Sequence, residues 1–526
     1  MNKINRVILC IIDCLRAEHL FKFINSGLLP NFKRLKDEGI FSKNCITDFP
    51  SVTLPTQPTI ITGTYTGDYR KEYCHGIPCF KWMDRDFSPP ILRDYGSKSI
   101  QIFKMNEDLG KNCKTLLEMV GDGNKTSITQ FCNRGTSYFF PKSKIRIGFY
   151  YLLLKYYPNL KKAIARFNSK VIHLLLDNFK NPKNYFRNKE PPIGSLIYFL
   201  SSDLLMHVFG YDSQLYKLNL MHIDKVVGVL LDGLEELGYL EETAIAITSD
   251  HGNYRASKVG DLNSFYLKNG LKQYEPRASY KGNFNLAEFG GVGFFYFRGR
   301  NNLLQENKYQ WTLPILKELE NFGPKRVNLL DKLFNIEHSQ LMYYKDDNNT
   351  HRKGIVYLKR KDKKTGKIYI GKIEYKGTNI DYKTKYTSED NDNDIFGYLK
   401  DKTASKLLDG KFHSNSEWMD GTYHLDFPMY PDLIPRHFKN PRSGDIILST
   451  DGSVIFNITH GKRKSENIYF HDLGLRDCAI VPLLIGGSSE ISHKEIPYCA
   501  TTDIVPTLLQ MLGRKAHPSM VGSSLI

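Results

Sequence analysis

The chain has 526 residues, 41% of them hydrophobic and 13% aromatic, which excludes a disordered polymer and allows a large core with insertions. Its formal net charge of +17 would fit a small anionic substrate, an anionic polymer or an acidic membrane surface, but the lysines are scattered, which reads first as composition and solubility, and without a nucleic-acid-binding signature no specific nucleic acid is expected. Nine cysteines in no metal-knuckle or disulfide spacing, no signal-type leader and no apolar run of about 18 residues together predict a cytoplasmic protein without a membrane span.

Val7 to Ile12 is a continuous apolar run that stops at Asp13. It predicts a buried parallel strand with a carboxylate at its C-terminal edge, where sites gather in open α/β sheets. Leu29-Pro30-Asn31-Phe32 opens a helix that ends near Gly39. Ser51-Val52-Thr53 then offers two hydroxyls. Thr53 reads as a helix N-cap, and a helix N-terminus there favours an anionic group. Residues from about 110 to 190 are helical in pattern, aromatic and lysine-rich, and carry no chemical motif.

Ser195 to Leu200 and Thr243 to Thr248 repeat the apolar strand pattern and end at Asp203 and at Asp250-His251. Between them Leu220, Ile223, Val227, Leu230 and Leu234 form one helical stripe, long enough for a right-handed crossover. From about 290 to 440 a second module is expected. Within it, Gly354 to Lys359 and Lys367 to Tyr375 read as a hairpin around Lys363-Lys364-Thr365-Gly366, and Ser388 to Asp394 as a polar loop. Thr502 to Leu509 starts a helix that Gly513 stops.

Each acidic residue at a strand end is weak evidence taken singly. Asp203-x3-His207 is more specific, because one helical turn puts both side chains on one face. Asp13, Asp203, His207, Asp250, His251 and a late histidine together supply six hard and borderline ligands at strand ends of one sheet. That set suits two divalent metal ions held close together. Zinc matches the ligand types best, and manganese or iron would tolerate them.

The order Asp13, Phe49 to Thr56, Asp203-x3-His207, Asp250-His251-Gly252 and a late histidine resembles the alkaline phosphatase superfamily. Its nearest branch is similar to type I phosphodiesterases and nucleotide pyrophosphatases. Thr59 to Gly63, His75-Gly76-Ile77-Pro78, Tyr430-Pro431-Asp432, Arg442-Ser443-Gly444-Asp445 and Asp503 to Thr507 extend the likeness along most of the chain.

The resemblance implies an α/β fold: an alkaline-phosphatase-like core with a mostly parallel central sheet flanked by helices, plus inserted cap segments. The corresponding division is a core part at 1–110 with the nucleophile, a helical insertion at 111–192, a central core part at 193–260, a second module at 261–440 and a C-terminal core part at 441–526. One metal would be held by Asp13, Asp250, His251 and Thr53, the other by Asp203, His207 and His471. His460 competes for the last place; His471 has the better spacing before Val481-Pro482-Leu483, although Asp472 stands where glycine is usual.

The expected reaction is hydrolysis of a phosphodiester or pyrophosphate through a phosphothreonine on Thr53. Similar phosphodiesterases carry an asparagine where this chain has Cys79, with Lys81, Arg70 or Lys71 as substitutes in reach of the sequence. A phosphomonoesterase, a phosphonate hydrolase or a catalytically degenerate binder of a phosphorylated ligand are therefore the alternatives. A sulfatase would need cysteine or serine at position 53. A phosphomutase would offer serine there, and a phosphoethanolamine transferase would bring membrane spans.

Overall fold

The computed structural model describes residues 4–96, 100–143, 160–260, 262–274, 282–299, 311–390, 393–456 and 468–526. The N-terminal part runs β1 (Arg6–Ile12), α1 (Ala17–Asn25), α2 (Pro30–Glu38), β2 (Ile40–Ile46) and α3 (Thr53–Thr62). Then come β3 (Lys125–Ile128), β4 (Tyr138–Phe140), α4 (Leu160–Lys180), β5 (Gly194–Phe199), α5 (Ser201–Phe209), α6 (Gln214–Glu236), β6 (Thr243–Thr248) and β7 (Tyr254–Ala256). The second half contains β8 (Phe284–Phe289), β9 (Val292–Phe297), β10 (Ser339–Lys345), β11 (Lys353–Lys361), β12 (Ile368–Lys376), β13 (Lys383–Ser388), β14 (His413–Ser414) and α7 (Tyr430–Lys439). It ends with β15 (Ile446–Thr450), β16 (Ile468–Phe470), β17 (Ile480–Gly487), β18 (Lys494–Glu495), β19 (Cys499–Ala500) and α8 (Ile504–Met511).

Among the described residues the central sheet has nine strands, in the order β18-β2-β17-β6-β1-β5-β3-β4 with β19 beside β2. β1 pairs in parallel with both β5 and β6, and only β17 runs against its neighbours. β1 is apolar throughout because both of its faces are covered. Ile8, Cys10 and Ile12 face the layer that holds Leu220, Ile223, Val227, Leu230 and Leu234 of α6. Val7, Leu9 and Ile11 face the layer that holds Ile60 and Ile61 of α3 and Leu508 of α8. The crossover stripe read from the sequence is thus the buried face of α6.

Residues 111–192 differ from the helical expectation. β3 and β4 fall inside this stretch and extend the central sheet, with β3 parallel to β5. The reason lies in their length and polarity. Lys125-Thr126-Ser127-Ile128 is too short and too polar to register as an apolar run, and pairing with β5 rather than local pattern makes it a strand. Thr126 Oγ1 donates to Asn178 of α4 at 2.8 Å, so the helical part packs on this extension.

The second sheet is antiparallel in the order β8-β9-β15-β10-β11-β12-β13-β14. The expected hairpin is β11 and β12, paired from Lys353↔Lys376 to Lys361↔Ile368. β15 lies between β9 and β10, so this sheet reaches beyond residue 440. Among the described residues no helix is long and apolar enough to cross a membrane.

Several motifs of the resemblance hold the two sheets together. The Arg442 guanidinium lies 3.7 Å from the Tyr69 ring centroid and 4.3 Å from that of Trp82. Both Asp445 carboxylate oxygens accept from buried Arg85, at 2.8 and 2.7 Å. Asp432 pairs with Arg436 one turn later at 2.8 Å, and that guanidinium lies 4.9 Å from the Tyr65 ring centroid and 4.0 Å from that of Tyr382. These contacts clamp the second sheet to the segment that follows the nucleophile.

Candidate active site

Six candidate ligands and Thr53 meet at the C-terminal edge of β1, β5 and β6. Asp13 follows β1 directly, and Asp250-His251 stands two residues beyond β6. Asp203 lies in the first turn of α5, right after β5, and His207 one turn later on the same face. Thr53 is the first residue of α3. His471 follows β16, which pairs with β7 and so returns to the loop after Asp250-His251. His460, the competing candidate, lies outside the described residues.

The groups form two overlapping clusters, Asp13-Asp250-His251 and Asp203-His251-His471, whose ligand-type atoms lie within 4.8 Å of one another. Thr53 Oγ1 is 3.3 Å from His251 Nε2. His251 Nε2 is 3.4 Å from Asp13 Oδ1 and 3.8 Å from Asp250 Oδ1. In the other cluster His207 Nε2 lies 3.2 Å from Asp203 Oδ1 and 3.1 Å from His471 Nε2. The His251 and His471 rings stack with centroids 3.9 Å apart.

Main-chain acceptors fix the imidazoles. Nδ1 of His207 donates to the Tyr469 carbonyl at 3.0 Å, that of His251 to the Gly252 carbonyl at 3.0 Å, and that of His471 to the Ser51 carbonyl at 3.4 Å. All three Nδ1 atoms thereby hold the proton, and all three Nε2 lone pairs point into the site, the tautomer that a metal needs. Two such acceptors 3.1 Å apart repel unless an electrophile lies between or beside them. Among the described residues, Asp13 Oδ1 and Asp203 Oδ1 are buried atoms without a hydrogen-bond donor. The donor set and these orphaned oxygens fit divalent cations.

The electrostatics agree. Burial pushes the Asp13 carboxyl well above its usual range, the Asp250 and Asp203 carboxylates push it further, and the Tyr198 hydroxyl that donates to Oδ2 opposes them. Burial also raises Asp203, but His207, His471 and His251 outweigh it and hold that carboxyl below its usual range. Burial, then His251, depresses His471 well below the ordinary imidazole value. Buried carboxylates and imidazoles packed this closely form a donor set that suits a bound cation.

Several supporting residues had no sequence signal. Gln57 Nε2 donates to Asp250 Oδ2 at 2.9 Å and its Oε1 accepts from Gln130 at 3.0 Å. The Cys14 amide donates to Asp250 Oδ1 at 3.1 Å. Gly252 lets the loop lie against the Asp477 carbonyl, where a Cβ would sit 2.1 Å away. Tyr198 could have been found by alternation, since it lies beside the end of β5 in register with Ile11.

Thr53 does not cap α3. The cap position belongs to Val52, which offers no side-chain hydrogen bond, and the threonine hydroxyl faces His251 instead. Cys79 is buried in the core. Of the suggested substitutes, Arg70 is held by Asp84 at 2.8 Å and by Asp86, and Lys71 is a surface residue 3.9 Å from Asp68.

Known proteins share this arrangement of elements. Human ectonucleotide pyrophosphatase/phosphodiesterase 5 superposes with a TM-score of 0.54 at 14% identity, covering 97% of this chain and 96% of that one. The murine protein, solved as an inactive form in complex with AMP, gives 0.53 at 13% identity over the same shares. At such identities the likeness establishes the alkaline-phosphatase-like fold alone.

In sequence, ectonucleotide pyrophosphatase/phosphodiesterase family member 1 of Rattus norvegicus is 28% identical over 247 residues, 47% of this chain and 24% of that protein. Venom phosphodiesterase of Naja atra is 26% identical over 247 residues, 47% of this chain and 26% of that protein. The chain thus spans about a quarter of the length of these curated relatives. The profile described as "Type I phosphodiesterase / nucleotide pyrophosphatase" matches residues 7–472, from β1 to the residue after His471. The chain therefore belongs to the type I phosphodiesterase/nucleotide pyrophosphatase family, within the alkaline phosphatase superfamily.

Proposed function

We propose that the protein is a metal-dependent hydrolase that cleaves a phosphodiester or pyrophosphate through a phosphothreonine on Thr53. The observation that carries this reading is the convergence of six ligand-type side chains on one threonine hydroxyl. Asp13, Asp250 and His251, with Thr53 Oγ1, would hold one divalent cation, and Asp203, His207 and His471 the other. Zinc suits this mixture of imidazole and carboxylate. Bound there, the cations lower the pKa of the threonine hydroxyl and neutralise charge on the phosphoryl group.

In the first step Thr53 Oγ1 gives up its proton and attacks phosphorus in line, the bond to the leaving oxygen breaks and that group takes up a proton, and a phosphothreonine that keeps the substrate's other substituent forms. Water then attacks from the vacated side and its oxygen displaces Thr53 Oγ1. Two inversions give net retention at phosphorus. Asp13 and Asp250 keep their orientation through Tyr198, Gln57 and the Cys14 amide during both steps. The AMP complex of the murine relative supports a nucleotide-type substrate. All nine cysteines are buried thiols, which supports a reducing, cytoplasmic setting.

A second reading has one observation in its favour. With Cys79 in the core rather than an asparagine at the phosphoryl group, a phosphomonoester or phosphonate becomes a competing substrate class. Turnover of bis-p-nitrophenyl phosphate against p-nitrophenyl phosphate by the zinc-loaded protein separates the two. A preference for the diester supports the first reading, a preference for the monoester the second. Full activity on either ester in Thr53→Ala would end both.

A further inference from the structure

One end of the second sheet holds a row of like charges. Lys353 on β11 is the register partner of Lys376 on β12, and Lys376 is the partner of Lys383 on β13. All three are exposed. Like charges directly opposite on neighbouring strands destabilise a sheet. The nearby cross-strand carboxylate does not relieve them, because Glu374 pairs with Lys385 at 2.9 Å and Lys372 at 3.3 Å. Lys376 Nζ leans over the Phe412 ring instead, 4.3 Å from its centroid.

The turn from β12 to β13 raises Ile380, 76% exposed, between Lys376 and Lys383. Buried Tyr382 anchors that turn under the Arg436 guanidinium at 4.0 Å, and the Gly377 amide donates to the Arg352 carbonyl at 2.8 Å. Two more segments join it. Buried Lys439 Nζ donates to Glu72 at 2.7 Å and to the Gly377 carbonyl at 3.3 Å, which brings exposed Lys71 and Tyr73 alongside. Asn379 Nδ2 donates to the Pro518 carbonyl at 3.4 Å, and His517 meets Tyr73 edge-on at 6.2 Å, which adds exposed Lys515. An aliphatic tip therefore stands on a rigid base inside a ring of cations from three segments, with Asp381 as the exposed acid of the turn.

We propose that this face docks the protein on an anionic membrane surface. The apolar tip enters the headgroup region while the lysines neutralise acidic headgroups. An aliphatic protrusion gives a nucleic-acid base nothing to stack on, which favours lipid over a single strand. The face lies beyond the C-terminal end of α3, where the Gly63 carbonyl accepts from the Val521 amide at 3.0 Å. Thr53 stands at the opposite end of that element.

Co-sedimentation of the full chain with vesicles tests this, using phosphatidylcholine alone or with about one-third phosphatidylserine, the cytoplasmic type of acidic lipid. The expected result is pelleting with acidic vesicles only, weakening as salt rises. The triple variant Lys353→Gln, Lys376→Gln, Lys383→Gln loses on the order of 100-fold in partitioning, and Ile380→Ser roughly tenfold. The triple variant melts no lower than the parent, because the repulsive row is gone, so lost binding is not lost folding. Equal pelleting with both vesicles, no pelleting, or undiminished binding by the triple variant overturns the proposal. So does capture of a single-stranded oligonucleotide by the parent protein without vesicle binding, which would assign the face to nucleic acid.

Discussion

Nε2 of His207 and Nε2 of His471 face each other at 3.1 Å, and each ring has already given its Nδ1 hydrogen to a main-chain carbonyl. Two lone pairs at that separation define a place for a cation. Purified protein dialysed against zinc should carry two equivalents. His471→Ala and His207→Ala should each carry one, with melting that stays cooperative. Elemental analysis per mole of protein checks this. Two equivalents in both variants would remove these histidines from the ligand set.

Thr53 touches the site through a single hydroxyl. Thr53→Ala should keep both metal equivalents and lower kcat by on the order of a thousandfold or more, since the covalent route is lost. Thr53→Ser should retain measurable turnover. Intact-mass analysis after acid quench should find in the parent the added mass of the phosphoryl group together with the substituent the substrate retains, and no such addition in Thr53→Ala.

Asp472 occupies the position after His471 and grips the second sheet. Its carboxylate accepts from the Gly291 amide at 3.1 Å, the Val292 amide at 2.9 Å and the Tyr254 hydroxyl at 3.0 Å. Asp472→Gly should destabilise the fold by about 1–3 kcal/mol, because buried amides lose their acceptor. It should also weaken one zinc equivalent by roughly 10- to 100-fold through loosened positioning of His471, while the other equivalent holds. Competitive chelation, which resolves the two affinities, would detect a uniform loss and so disprove the selective effect.

Burial raises Asp503 to about 6, against hydrogen bonds from the Ala500 and Ser523 amides that lower it. A folded-state value above the unfolded one means that the folded chain binds more protons between the two. Its stabilisation is full below the unfolded value near 4 and is lost as pH rises through about 6. The gap between those two values corresponds to roughly 3 kcal/mol. Metal-free Asp503→Asn should therefore lose less stability than the parent across that pH interval in urea titrations. Identical slopes would refute the assignment.

Legibility in the sequence followed burial and periodicity. β1, β5 and β6 could be read because both faces of each strand are covered, which leaves uninterrupted apolar runs ending at Asp13, Asp203 and Asp250. Asp203 and His207 could be paired because one helical turn separates them. β3 could not be read, since Thr126 and Ser127 are strand residues only by virtue of pairing with β5. Gln57 and Gln130 gave no signal either, and Ser51 was legible as a hydroxyl beside Thr53 but not as a partner of His471. Polar residues that orient a site carry no period, and their partners lie up to 423 positions away, as Ser51 and Gly474 do.

Ser51 has a further consequence. Its hydroxyl donates to the His471 carbonyl at 2.9 Å and accepts from the Gly474 amide at 2.9 Å, while its own carbonyl takes the His471 Nδ1 hydrogen. These three stitches rivet the loop that presents Thr53 to the strand end that presents His471. Neither can swing without dragging the other. The reacting geometry is consequently set when the chain folds, not when a substrate arrives, and evolution can reshape the walls around the pocket without retuning its floor.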